Sequence, residues 1–172
     1  MFHSEELGEM GSNAEGRLAL EAFAKRHGIK AAPNLTVLED EIASFIVERL
    51  EPRIADKTVI EIGGGIGLLS LHMATVAKRV YCIEANPMWS FTFAELLLQR
   101  KPKNLSFLFG AADEFVGRID GDIAIVLSHS GLASMMATAR QFAPVAVDFY
   151  GELVEANPNA FDPFARQARL FT

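Results

Sequence analysis

The run VIEIGGGIGLLS, Val59 to Ser70, constrains the fold of this chain more than any other stretch. A β-rich segment carrying a single acid, Glu61, meets four glycines, Gly63, Gly64, Gly65 and Gly67, within five positions. Residues without a Cβ reach positive φ and let another group come close to the backbone. The run therefore reads as a strand entering a bare, tight turn. GLLSLHMATVAKR (67–79) follows with apolar residues at helical spacing. Strand, glycine turn and helix together open a doubly wound α/β sheet, which binds ligands outside the C-terminal ends of its strands.

The rest of the chain continues that alternation. β-rich runs are expected at TVIEIG (58–63), RVYCIEA (79–85), NLSFLFGA (104–111), DIAIVLS (122–128) and PVAVDFYG (144–151). Helices are expected at 67–79, PMWSFTFAELLLQR (87–100) and GLASMMATARQF (131–142), and the connector 112–121 is left unassigned. Apolar strands alternating with helices predict a Rossmann-like parallel sheet of order 3-2-1-4-5 with helices on both faces. Ahead of it, residues 1–16 show no periodicity and read as a flexible N-terminus. Residues 17–52 read as an N-terminal helical extension: RLALEAFAKRHG (17–28), then TVLEDEIASFIVERLEP (36–52). Thr36 and Glu39 have capping-box spacing at the start of the second helix, and Pro52 is expected to end it. The domain proper is then 53–172.

The glycine spacing narrows the ligand. A dinucleotide fingerprint G-x-G-x-x-G fails in both registers, because its third glycine falls on Leu68 or Ser70. A phosphate-binding loop of the Walker A type needs Gly-Lys-Ser/Thr, and no lysine follows. What stands here is E-x-G-x-G-x-G, Glu61, Gly63, Gly65 and Gly67, with a second acid, Glu84, closing the next strand. This pair of signals resembles the first motif and second-strand acid of the Rossmann-like S-adenosylmethionine (SAM) methyltransferases. That resemblance implies SAM as cofactor. Glu61 would orient the turn and the ligand's ammonium, and Glu84 would accept from the ribose hydroxyls.

From VIEIGGGIGLLSLHMATVAKRVYCIEANP onward the chain resembles the FkbM type of methyltransferase, through the turn Glu61–Gly67, the segment Glu84-Ala85-Asn86-Pro87, NLSFLFGAADE and GDIAIVLSHSGLASMMATARQFAPVAVDFYGE. The likeness covers about residues 57–152 and implies O-methylation of a small molecule or sugar hydroxyl. It places the cofactor against Glu61, Gly63, Gly64, Gly65, Gly67, Glu84, Ala85, Ala111, Ala112, Asp113 and Ser128. The departures lie on the acceptor side. Where the family has a charged K-x-D-x-E-G segment after strand four, this chain has Val126, Ser128 and Ser130 before Gly131. Ala111 stands where many relatives carry an adenine-facing aspartate, with Asp113 two residues on. The chain also ends about twenty residues after strand five, where such proteins continue. His129 becomes the candidate general base. The altered acceptor side motivates an alternative, a non-catalytic binding or assembly protein on the same fold.

A second resemblance is confined to LEDEIASFIVERLEP, which is similar to the entry helix of rRNA adenine dimethyltransferases. Those enzymes carry an N-x-P-Y-like segment after strand four, and SHSG is not that. The net charge of −6 also speaks against a nucleic-acid surface, so nucleic acid is expected to be an unlikely partner. The single cysteine, Cys82, allows no internal disulfide and reads as a core thiol. No histidine pair has zinc-helix spacing, so no metal is expected. No apolar run reaches the ~18 residues a membrane helix needs, and the polar, acidic start is no signal peptide, so a cytoplasmic location without membrane contact is expected. Trp89 and Met88 read as helix packing, and Arg100, Lys101 and Lys103 as a solvated basic turn. Glu152, closing strand five, reads as a solvated carboxylate. The apolar tail, with Phe161, Phe164, Leu170 and Phe171, predicts either cover for the strand-five edge or a homodimer through that edge or the tail.

Overall fold

The computed structural model describes residues 40–126 and 132–148. Its elements are α1 (Asp40–Ile54), β1 (Thr58–Ile62), α2 (Leu68–Met73), β2 (Arg79–Glu84), α3 (Pro87–Arg100), β3 (Leu105–Phe109), a 3₁₀ turn (Ala112–Phe115), β4 (Ile123–Val126), α4 (Leu132–Ala139) and β5 (Val145–Asp148). The five strands form one sheet of order β3-β2-β1-β4-β5, every neighbouring pair parallel, as the alternation predicts.

The register sorts side chains onto two faces. Val59, Val80 and Ile123 lie side by side, as do Glu61, Cys82 and Ile125. α1 and α2 cover this first face with Phe45, Ile46, Leu50, Ile54, Leu69 and Met73. α3 adds Trp89 and Phe93 over Cys82. On the second face Ile60, Ile62, Ile83, Ala124 and Val126 meet Ala139, Phe142 and Ala143. Each large side chain buried this way contributes about 1.5–3 kcal/mol, so α1 is held by its apolar stripe more than by its intrinsic propensity. Cys82 is a free, buried thiol and Trp89 is core packing, as expected.

Element ends differ from the sequence pattern for local reasons. α1 continues through Pro52 to Ile54, and Ala55 N–H still donates to Glu51 O at 2.9 Å. Proline removes its own donor and crowds the carbonyl four residues back, and the fully buried Leu50 and Ile54 on either side hold the last turn in place against that cost. α2 stops at Met73, well short of residue 79. There Ala77 bridges Ala55, and the Asn104 side-chain amide donates to Ala74 O and Ala77 O at 2.9 Å each. Those carbonyls are thereby satisfied outside a helix. α4 ends at Ala139, and Phe142 and Ala143 are buried in the loop that follows. The 3₁₀ turn falls inside the unassigned connector. The helix expected over 17–28, the start of the helix expected over 36–52, and the tail from 149 lie outside the described residues, as does the sheet edge beyond Asp148. Among the described residues no helix is long and apolar enough to cross a membrane.

Candidate functional site

The glycine turn leaves β1 at the C-terminal end of the sheet, between β2 and β4. Its backbone is tied to β2: Gly63 N–H and Gly64 N–H both donate to Ile83 O, at 2.9 and 3.2 Å. Gly63, Gly65 and Gly67 have φ of 78°, 58° and 78°, the left-handed region that glycine reaches without strain.

The glycines nevertheless do different work. A Cβ on Gly67 would stand 2.1 Å from the Phe93 ring, and one on Gly64 would stand 2.1 Å from Cys82 Sγ. Gly67 is bare so that α3 can close on the turn, and Gly64 is bare so that the turn can pack onto Cys82 of β2. Around a Cβ on Gly65 there would be nothing within 4 Å. Gly65 is bare toward open space, which is where a ligand can approach the chain.

Glu84, at the end of β2, faces that space. Its Oε2 accepts from Gly65 N–H at 2.8 Å and its Oε1 from Asn86 N–H at 2.7 Å. One carboxylate thus fixes the turn after β1 to the turn after β2. A carboxylate offers about four lone-pair sites, so roughly two remain for a ligand. Gly110 N–H donates to Glu84 O at 3.1 Å, bringing the end of β3 alongside. There Ala111 and Ala112 are half-buried, Asp113 is exposed, and Phe109, paired with Glu84 in the sheet register, is 56 % exposed. The structure therefore brings Gly63, Gly64, Gly65, Gly67, Glu84, Ala85, Ala111, Ala112 and Asp113 to one end of the sheet.

Glu61 lies beneath the turn and not in the open space. It is 3 % exposed, and Ser70 Oγ donates to its Oε2. Burial pushes its carboxyl up to about 7, against the pull of the Ser70 bond, and the Glu84 charge adds to the rise. The neighbouring Cys82 thiol is also pushed up, by burial first and then by Glu61. Ser70 and Phe93 were not singled out in the sequence, although a serine inside the apolar run LLSLHM was a visible signal. Ser128, His129 and Glu152 lie outside the described residues. Among the described residues no group of three or more His, Cys, Asp or Glu side chains could hold a metal ion. An open cavity of about 510 Å³ lies at the opposite end of the sheet, lined by Arg53, Lys57, Asp122 and Val145, remote from this turn.

A parallel 3-2-1-4-5 sheet, a glycine turn after its first strand and an acid closing its second were compared with known proteins. No family model matches the chain. A curated protein of Pyrobaculum islandicum, "Probable ribosomal RNA small subunit methyltransferase A", is 31 % identical over 125 residues, covering 68 % of this chain and 47 % of that protein. The chain thus spans less than half the length of this relative. Among solved structures, a Pyrococcus horikoshii protein described as a "putative RNA methyltransferase" superposes with a TM-score of 0.52 at 23 % identity, covering 60 % of this chain and 55 % of its own. M. jannaschii TYW2 in complex with AdoMet superposes with a TM-score of 0.54 at 18 % identity, covering 63 % of this chain and 50 % of its own.

The fold is that of the class I SAM-dependent methyltransferases. The FkbM type is not among these matches. One expectation is corrected outright. Nucleic acid was read as an unlikely partner from the acidic balance, and the curated relative is named for ribosomal RNA. The likeness of LEDEIASFIVERLEP to the entry helix of rRNA adenine dimethyltransferases agrees with that relative's name.

Proposed function

We propose that the Gly63–Gly67 turn binds SAM and that the chain transfers the cofactor's methyl group to RNA. The observation that carries the cofactor half is the Glu84 carboxylate, tied to Gly65 N–H and Asn86 N–H beside the open side of Gly65. The arrangement fits SAM: a bare backbone for close approach, and two spare acceptor positions for the two hydroxyls of a ribose. When bound, SAM supplies a methyl on a sulfonium, open to displacement by an acceptor lone pair. The chain's own work is positioning, which by itself supplies much of such a barrier. Gly65 permits the approach, Glu84 fixes the ribose, and Ala85, Ala111, Ala112 and Asp113 border the adenine. Glu61 supports the turn from below. Ser128 and the candidate base His129 follow β4 in sequence and complete the set.

The RNA half is supported by the rRNA methyltransferase relative and by the description of the Pyrococcus neighbour. A second reading, O-methylation of a small molecule or sugar hydroxyl, is supported by the Glu84-Ala85-Asn86-Pro87 likeness to the FkbM type. Calorimetric titration with SAM and S-adenosylhomocysteine, with Glu84→Ala alongside, tests the cofactor. Micromolar binding that the variant loses is the expected result. Transfer of a labelled methyl from SAM is then followed into ribosomal RNA and, separately, into a pool of sugars. Label in RNA supports the first reading, label confined to sugars the second. Binding without transfer to either supports the non-catalytic alternative.

A further inference from the structure

Lysines gather at the ends of the strands opposite the glycine turn, where a few acids stand among them. The turns at the C-terminal ends of β1, β2 and β3 (63–67, 85–86 and 110–115) contain no lysine or arginine. At the other end, Lys57 precedes β1, Lys78 precedes β2, and Lys101 and Lys103 precede β3. Because the sheet order is β3-β2-β1, these lysines stand in spatial sequence along its lower rim. Continuing the sheet register, the backbones of Lys57, Lys78 and Lys103 stand in line at the ~4.8 Å strand spacing, and Lys101 lies two residues before Lys103. All four lysines are exposed, and among the described residues none has an ion-pair partner. Acids bound the row on its β1–β4 side: exposed Asp56 precedes Lys57, Asp120 and Asp122 precede β4, and the Asp122 carboxylate is engaged by Thr58 N–H at 2.8 Å.

The rim is stiff. Arg79 N–H donates to Lys57 O at 3.2 Å and Val80 N–H to Asn104 O at 2.8 Å, while the Asn104 side chain clamps Ala74 O and Ala77 O. Lys101 closes α3 in the left-handed conformation, φ 48°, its N–H on Leu97 O at 2.8 Å. Beside Lys78, the half-buried Arg79 guanidinium donates to Ser106 Oγ at 2.8 Å and lies over the Tyr81 ring at 5.0 Å, and its Nε has no partner among the described residues. Among the described residues no carboxylate pairs with it, so it adds positive charge behind the row.

We propose that this rim, Lys57, Lys78, Lys101 and Lys103 backed by Arg79, is a contact surface for the phosphate backbone of RNA. Three lysines in register along one rigid edge match a linear polyanion better than a plane of headgroups. The acid-lined ligand end and the basic end are about one strand apart, ~17 Å, so one folded RNA can touch both. The inference rests on the RNA reading above for its partner, and not on the cofactor reading.

The test is fluorescence anisotropy of a labelled 20-nucleotide oligouridylate against the full chain, between 25 and 200 mM KCl, for wild type and for Lys57→Gln/Lys78→Gln/Lys103→Gln. Each lost phosphate contact on a single strand removes about 0.7 from the slope of log K against log salt, so the triple variant should lose about 2. Its affinity at 50 mM KCl should fall at least tenfold. Its urea unfolding midpoint and SAM affinity should stay those of wild type, because none of the three lysines touches the glycine turn. Should the triple variant fold poorly, Lys78→Gln/Lys103→Gln should lose about two thirds of that slope change. An unchanged slope in the variants overturns the proposal. So does a wild type that ignores RNA at 25 mM KCl, or one that binds phosphatidylserine vesicles and not RNA. RNA binding lost in the variants of a protein that never binds SAM leaves this surface standing and removes the methyltransferase reading.

Discussion

Glu61→Gln should stabilise this protein at alkaline pH and do little at acidic pH. Glu61 is 3 % exposed, and its carboxyl is raised from 4.5 to about 7, burial being the largest cause. A carboxyl whose folded value lies above its unfolded one binds more protons folded than unfolded. Its contribution to stability is therefore complete below about 4.5 and is lost as pH rises through about 7. Two and a half units at 1.36 kcal/mol each make the full loss about 3 kcal/mol. Between pH 5 and pH 8 it amounts to about 2.5 kcal/mol. Glutamine keeps the shape and can still accept from Ser70 Oγ, but it cannot ionise.

The assay is urea unfolding of both proteins at pH 5, 6.5 and 8. Every other titrating group is common to the two, so the difference between them isolates Glu61. The variant's advantage should grow by about 2.5 kcal/mol across that range, roughly 5–10 °C in Tm for a chain of this size. A difference that stays flat with pH would refute the reasoning, because it would mean that Glu61 ionises in the folded state as easily as in the unfolded one.

Other expectations follow from the same region. Gly67→Ala meets both a φ of 78° and the Phe93 ring at 2.1 Å, and should cost about 3 kcal/mol in urea unfolding. Gly65→Ala has open space around its Cβ and should cost only about 1 kcal/mol, while SAM affinity measured by calorimetry falls at least tenfold. Cys82 is buried with its thiol pushed up, so Ellman's reagent should label it only after denaturation. Asn104→Ala leaves the carbonyls of Ala74 and Ala77 without their side-chain donor and should lower stability by about 1–3 kcal/mol, with the SAM titration unchanged.

The sheet was legible because its signals are local. Val59–Ile62, Arg79–Glu84 and Leu105–Phe109 are short apolar runs separated by helix-length segments, and right-handed crossovers leave few ways to order them. Pro87 to Arg100 could be bounded from proline and periodicity alone. The ends of α1 and α2 could not, because they depend on contacts distant in sequence. Leu50 and Ile54 carry α1 past Pro52, and Asn104, from the start of another strand, satisfies the carbonyls where α2 stops. The glycines show the same division. Their spacing announced a bare turn, but only the approach of Phe93 and Cys82 separates Gly67, which admits α3, and Gly64, which packs on β2, from Gly65, which faces the open side. Glu61 was legible as an acid at the right place, and its burial was not, since Ser70 and the α2 helix that cover it are a tertiary matter.

The misreading of nucleic acid has a physical cause that applies beyond this chain. A net charge of −6 is a sum, and a polyanion responds to the local field. Screening confines that field to about 8–10 Å at ordinary ionic strength. A phosphate beside Lys78 is therefore governed by Lys57, Lys101, Lys103 and Arg79, with Asp56 and Asp122 beside Lys57 opposing them, and only weakly by Glu84, Asp113 or Glu114 at the other end of the strands. Parallel topology turns sequence position into spatial side: residues just before strands collect at one end, residues just after them at the other. Sorting charges by that rule, instead of adding them, puts Lys57, Lys78, Lys101 and Lys103 at the end opposite the glycine turn, with Asp56, Asp120 and Asp122 on the β1–β4 side of that end. It also sets what a charge-reversal experiment must show. Converting rim lysines should alter RNA binding and its salt dependence without altering SAM binding, and Glu84→Ala should do the reverse.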